Sequence, residues 1–332
     1  MAAIVGLMAA CSGGPDAETA RFTMVREFQP PPAGSFWAPI DLAATAQHVW
    51  VLDVGAAQVY GYAPDGTYRV TLGKPGAGPG ELKEPLAMGV AGDSLWVLNA
   101  GNRRIEYYAV SADSLGSTLG SEPLPDSLPP PIDMVRLGGD WYATTPFLPE
   151  PVVRFHSGAS TWTTFGREVI EAAAELKPRA ASIPDAYRIE VEEGRVWVLH
   201  LYLPVLGVYD RNGKLDRVVT YPGEEIEARA PVEQDGGEGR VRRLIRAPRS
   251  PAGGLGFLRV GSGDYVLTHQ RAEGRQMLYR IARDAGLEVK VADRATLMPP
   301  RMLFVTSIRS HGRTYAVGTK GEYEDPSVFV LE

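Results

Sequence analysis

A repeat of 46 residues is the feature that most limits what this chain can fold into. Pro39, Trp50, Asp53, Gly55 and Tyr62 return as Pro85, Trp96, Asn99, Gly101 and Tyr108, each pair 46 positions apart. Pro131 and Tyr142 carry the spacing into a third unit. Three later units keep the order with looser spacing: Pro184 before RVWVLH (195–200), Pro251 before DYVLTH (264–269) and Pro300 before RTYAVG (313–318). A unit of this length cannot bury its apolar face alone, so copies must stack on one another.

Within a unit, apolar and polar residues alternate, or apolar residues run together, over four to eight positions rich in β-branched and aromatic side chains. That is a strand signal. The first unit divides into strands a to d at 40–44, 48–54, 57–63 and 66–72, with PDG at 64–66 marking a tight c-to-d hairpin. RNG at 211–213 and DAG at 284–286 mark the same joint in other units. Four antiparallel strands in about 45 residues make a propeller blade. The expected fold is all-β: a six-bladed β-propeller with four-stranded antiparallel blades.

The last unit stops at DPSVFVLE (325–332), where strand c ends and strand d is missing. An unpaired edge there would be a liability. The alternating segment ARFTMVREF (20–28) belongs to no unit, so it is expected to complete the last blade and close the ring. The propeller then spans 20–332, with two insertions at d-to-a crossings. The first, 167–183, begins with an amphipathic helical pattern (REVIEAAAELK) ended by Pro178. The second, 222–250, is acidic and then basic. Both should crowd one rim and part-cover the channel mouth.

The single cysteine, Cys11, excludes an intrachain disulfide. It follows the apolar run MAAIVGLMAA and precedes SGGPDAETA, an arrangement that resembles the lipobox of bacterial lipoproteins. Ten apolar residues are too few to span a bilayer, so residues 1–19 read as signal peptide and tether. The resemblance implies lipidation of Cys11 and an address on the cell envelope, at the outer membrane or the periplasmic side. A net charge of −6 gives no electrostatic reason to expect nucleic acid.

The second unit also resembles the NHL repeat. Pro79, Gly80, Glu81, Pro85, Trp96, Val97, Asn102, Arg104 and Ile105 fill that repeat's places, and Asn99 stands where Asp is usual. Together with the lipobox, the chain resembles bacterial propeller lipoproteins of NHL or TolB-like type. The resemblance implies a fold and a binding habit but carries no catalytic motif. PGAGPGE lacks the lysine-serine pair of a phosphate loop and reads as a blade connector.

Candidate site residues come from the last position of strand b, which opens onto the insertion-bearing face. It is Asp53, Asn99, Thr145, His200, His269 and Gly318 in the successive units. His200 and His269 in adjacent blades, with Asp53 and Asn99 across the ring, could hold a divalent metal or act as general base. The alternative is that each polar tip bonds a neighbouring loop. Arg242 and Arg243, in the basic half of the second insertion, could hold an anionic group or neutralise Glu224, Glu225 and Glu227 beside them. Trp50, Trp96, Tyr142, Trp197 and Tyr315 sit in strand b and should pack between blades, whereas Trp37, Trp141 and Trp162 fall outside that register.

The sequence therefore points to a monomeric, non-enzymatic binding propeller without a cofactor, recognising a protein, peptide or glycan. The alternative is a metal-dependent lyase or lactonase using His200 and His269.

Overall fold

The computed structural model describes residues 24–111, 114–176, 186–201, 203, 205–220, 254–260, 263–270, 275–282, 288–291, 303–319 and 325–331; between 254 and 305 the description is of backbone alone. The first repeat unit forms β2 (Pro39–Ala44), β3 (Val49–Asp53), β4 (Gln58–Tyr62) and β5 (Tyr68–Leu72), paired antiparallel in chain order. The next three sheets repeat this plan. They are β6 (Pro85–Ala91), β7 (Ser94–Asn99), β8 (Arg104–Ala109) and β9 (Thr118–Pro123); β10 (Asp133–Leu137), β11 (Asp140–Thr144), β12 (Val152–His156) and β13 (Thr163–Phe165); and β14 (Tyr187–Glu192), β15 (Arg195–His200), β16 (Val205–Tyr209) and β17 (Leu215–Thr220). A fifth is β18 (Gly254–Val260), β19 (Gly263–Gln270), β20 (Arg275–Ala282) and β21 (Glu288–Val291).

The remaining sheet is built differently. Its order is β1 (Met24–Glu27), β24 (Ser327–Leu331), β23 (Arg313–Thr319) and β22 (Leu303–Ser310), so both ends of the chain contribute. The expectation of a six-bladed ring is corrected accordingly: five blades are contiguous four-stranded meanders. The closing sheet is a composite: the C-terminal segment supplies three of its strands and β1 the fourth. Met24 pairs with Leu331 and Glu27 with Phe329, and the Phe28 N–H donates to the Val328 carbonyl at 2.8 Å.

First strands stand side by side around the axis: β22 beside β2, β2 beside β6, β6 beside β10, β10 beside β14, and β18 beside β22. Burial then falls outward along each sheet. Every residue of β3 is buried, whereas β9 at the rim is almost wholly exposed. A strand covered on both faces needs a continuous apolar run, and VWVLD supplies four such residues before its terminal aspartate.

The core is divided into clusters that lie between consecutive sheets. Trp50, Leu52 and Val59 of the first blade meet Met88, Leu95 and Val97 of the second. Ala87, Trp96 and Leu98 of the second meet Met134, Trp141 and Phe155 of the third, with Trp96 and Trp141 edge to face at 5.0 Å. Trp50, Trp96, Tyr142, Trp197 and Tyr315 of strand b are buried, as their repeated position requires. Among the described residues, a blade thus packs on both of its neighbours, as the second does through the clusters it shares with the first and the third.

Helix α1 (Arg167–Leu176) forms where the sequence places it, between β13 and β14. Its buried residues Val169 and Ala173 face a cluster containing Val205 and Tyr209, with Leu215 and Val218 packed against it. The helix therefore covers the outer strands β16 and β17 of the fourth blade and does not roof the channel. The second insertion lies outside the described residues.

Candidate functional site: the channel and its strand-end face

Asp53 ends β3 and is fully buried. Its Oδ2 accepts the Trp37 N–H at 2.7 Å, and its Oδ1 accepts those of Ala38 and Ala56, each at 3.0 Å. The carboxylate therefore ties the connector entering β2 to the turn leaving β3. Asn99 does the same work one repeat later. Its Oδ1 accepts the Lys83 N–H at 2.8 Å, and its Nδ2 donates to the Glu81 carbonyl at 2.8 Å and to Glu106 Oε1 at 3.4 Å.

Thr145 Oγ1 accepts the Phe147 N–H at 3.3 Å within its own loop. His200 is buried at the end of β15, edge to face with Tyr187 at 5.0 Å, and its Nδ1 accepts the Leu203 N–H at 3.2 Å. These geometries fit the reading in which strand-b tips hold loops. Among the described residues, no three His, Cys, Asp or Glu side chains are grouped to hold a metal. His269 is placed by backbone, opposite Gln276 in β19, without a described side chain. Arg242, Arg243 and Cys11 lie outside the described residues.

The Gly-rich connector is held by the residues that carry the NHL resemblance. Glu81 Oε2 accepts the Gly78 N–H at 2.8 Å, Asn102 Nδ2 donates to the Gly76 carbonyl at 2.9 Å, and Arg104 donates to the carbonyls of Ala77 and Gly78 at 3.1 and 2.5 Å. Arg104 also pairs with the buried Glu106. Loop carbonyls take these donors, which is a structural role.

The structure also brings together a set of charges on the first strands. Asp41 of β2, Asp133 of β10 and Arg188 of β14 all lie on first strands, the innermost of their blades. Residues of blades one, three and four can meet only at the axis. Arg188 Nη1 is 3.7 Å from Asp133 Oδ2, and its Nη2 donates to the Ile40 carbonyl at 3.5 Å, beside Asp41.

Both carboxylates are fastened by backbone donors from their own blade and the next. Asp41 accepts from Leu42 and Met88, each at 2.8 Å. Asp133 accepts from Met134 at 2.9 Å and from Ile189 at 3.0 Å. Asp41 keeps part of its surface accessible. Burial, joined by the charge of Asp133, nevertheless pushes Asp41 up to about 7, against the opposing pull of Arg188 and the two N–H donors. Asp133 is also raised, chiefly by burial, with Arg188 the main counterweight. Near neutral pH Asp41 can therefore take up or release a proton.

A sequence signal for this set existed. Asp41 and Asp133 are two repeat lengths apart, with Ala87 midway, so both occupy one register position of strand a. Arg188 takes the matching place in the fourth blade: it pairs opposite Leu199, as Asp41 pairs opposite Leu52 and Asp133 opposite Thr144.

Two large apolar side chains are left in solvent on the same end of the propeller. Trp37, in the connector before β2, is 73% exposed, and Phe147, in the loop between β11 and β12, is 67% exposed. Asp53 fixes the backbone under Trp37 and Thr145 that under Phe147, so both project from tied loops.

Comparison with solved structures supports a propeller. A protein taken to be exported, from Bacteroides fragilis, superposes with a TM-score of 0.64 at 10% identity, covering 96% of each chain. A member of the DUF4221 family from Bacteroides vulgatus gives 0.58 at 9% identity, over 95% of this chain and 99% of its own. A streptogramin B lyase gives 0.51 at 11% identity, over 93% of this chain and 87% of its own. At these identities the likeness is one of fold. No protein-family model and no curated protein matches the sequence, and none of these structures carries the NHL or TolB-like name.

Proposed function

We propose that this protein is a non-enzymatic binding propeller of the cell envelope, anchored by a lipid on Cys11. It would engage a protein, peptide or glycan partner on the end where strand a begins and strand b ends. The observation that carries this reading is the exposure of Trp37 and Phe147 on that end, held on fixed loops and unused by the core. Aromatic side chains presented on tied backbone lose little entropy on binding and are frequent interface anchors. The strand-b tips agree with it. Asp53 and Asn99 direct polar atoms to loop N–H and C=O groups, and His200 Nδ1 accepts the Leu203 N–H. Arg242 and Arg243, on an insertion at the equivalent crossing, would add contacts to an anionic part of the partner.

The test is cross-linking of the purified protein to envelope extract, beside a Trp37→Ala/Phe147→Ala double variant. A partner captured by the wild type and lost from the variant is expected, and equal capture by both overturns the reading. Palmitate labelling that disappears in Cys11→Ala is the expected result for the anchor. Consumption of a streptogramin B by the purified protein, lost in His200→Ala, would replace the binding reading with a lyase.

A further inference from the structure

We propose that Asp41, Asp133 and Arg188 form a proton-dependent latch on the propeller axis that locks the inner strands of three blades together and loosens when Asp41 loses its proton. The geometry carries this. Arg188 leaves the fourth blade and reaches a carboxylate of the third and a backbone carbonyl of the first, so one side chain spans three blades. With Asp41 neutral, the cluster holds one positive and one negative charge and is balanced. With Asp41 ionised, two carboxylates share one guanidinium and a net negative charge remains inside the ring. An unbalanced buried charge is costly, and the cost falls on the contacts around it.

The surroundings of Asp41 leave little else to compensate. From β10 comes Asp133, and from β14 Arg188. β6 offers the Met88 N–H but no charged side chain in its sequence. β3 contributes Asp53, already engaged with three N–H groups. β22 stands on the other side. Its Thr306 pairs opposite Val317 at the matching level, and its charged residue, Arg309, lies three positions further along.

The sign follows from linkage. The folded protein holds the Asp41 proton up to about pH 7, whereas the unfolded chain releases it near the ordinary carboxylate value of 3.8. The stabilisation is therefore full below about pH 4, shrinks as pH rises, and is gone above about pH 7. His48 opposes this trend: burial holds its imidazole below the ordinary value, so its contribution grows over part of the same range. A single pH profile would mix the two.

The experiment therefore compares full-length wild type, Asp41→Asn and Arg188→Gln by thermal unfolding from pH 5 to 8, with amide exchange read at Met88 and Ile189. The latch predicts a Tm difference between Asp41→Asn and wild type that grows by several degrees in favour of the variant across this range. Exchange at Met88 and Ile189 should accelerate beyond the intrinsic base-catalysed rate in wild type and not in Asp41→Asn. Arg188→Gln, which removes the guanidinium facing both carboxylates, should lose Tm more steeply than wild type. Parallel pH profiles for all three proteins, or equal exchange acceleration in wild type and Asp41→Asn, would overturn the proposal.

Discussion

Asp53 and Asn99, one repeat length apart, accept the backbone N–H groups of Trp37 and Lys83 at 2.7 and 2.8 Å. The two side chains occupy one position in the repeat, yet they are not interchangeable. Asp53 uses acceptors only, three of them filled by N–H donors. Asn99 also donates, to the Glu81 carbonyl and to the Glu106 carboxylate. Asp53→Asn should therefore lose an acceptor, and Asn99→Asp should set two buried carboxylates against each other. Each change is expected to cost about 2–3 kcal/mol, read as a shift in denaturant midpoint. A neutral exchange at either position would show that the two clamps are equivalent after all.

His200 offers a second test, because its Nδ1 receives the Leu203 N–H and its ring meets Tyr187 edge to face. A residue used in this way contributes to loop order. His200→Ala should lower Tm by several degrees, and added zinc or calcium should leave the wild-type Tm unchanged. A metal-induced rise in Tm that disappears in the variant would restore the metal-site reading.

The blade plan could be read from the sequence because strand b repeats its apolar residues and its tip at a fixed spacing, and because PDG and RNG mark hairpins. Asp65 and Asp210 do accept the turn N–H groups there. The closing strand was legible too, since 20–28 alternates like a strand and belongs to no repeat unit. The number of blades was not legible: the spacing counts units, and it counts the composite closing sheet as a sixth equal blade. The axial cluster was missed for a related reason. Asp41 and Asp133 share a register, but Arg188 joins them across the ring through a spacing that the helical insertion had already shifted. Trp37 was open in the sequence, and only the structure shows that its ring faces solvent.

The composite sheet can be tested through Phe28, which follows β1 and is buried among Tyr62 and Tyr315, at ring distances of 5.1 and 5.9 Å. These partners belong to the first blade and to the closing sheet, so Phe28 fastens the two ends of the ring. Gly66 makes room for it: at φ +83° a side chain is disfavoured, and a Cβ there would lie 2.8 Å from the Phe28 ring. Phe28→Ala should cost about 3–5 kcal/mol, and deletion through residue 28 should abolish cooperative unfolding. A truncated protein that melts like the full chain would mean that the ring closes without β1.

The docking of α1 depends on Gly207. A Cβ at this position of β16 would come within 2.3 Å of Val169 Cγ2 and 2.7 Å of Tyr209 Cε2. Strand geometry offers no relief, because Val169 is fully buried and Tyr209 is packed against Phe165 at 5.1 Å. Gly207→Ala should therefore push the helix off the fourth blade at a cost of about 1–3 kcal/mol. Val169→Ala in the same chain should recover part of that loss, since it removes the methyl groups that the new Cβ meets. A double-mutant cycle measures the coupling directly. Strict additivity of the two changes would show that the helix is not seated on Gly207.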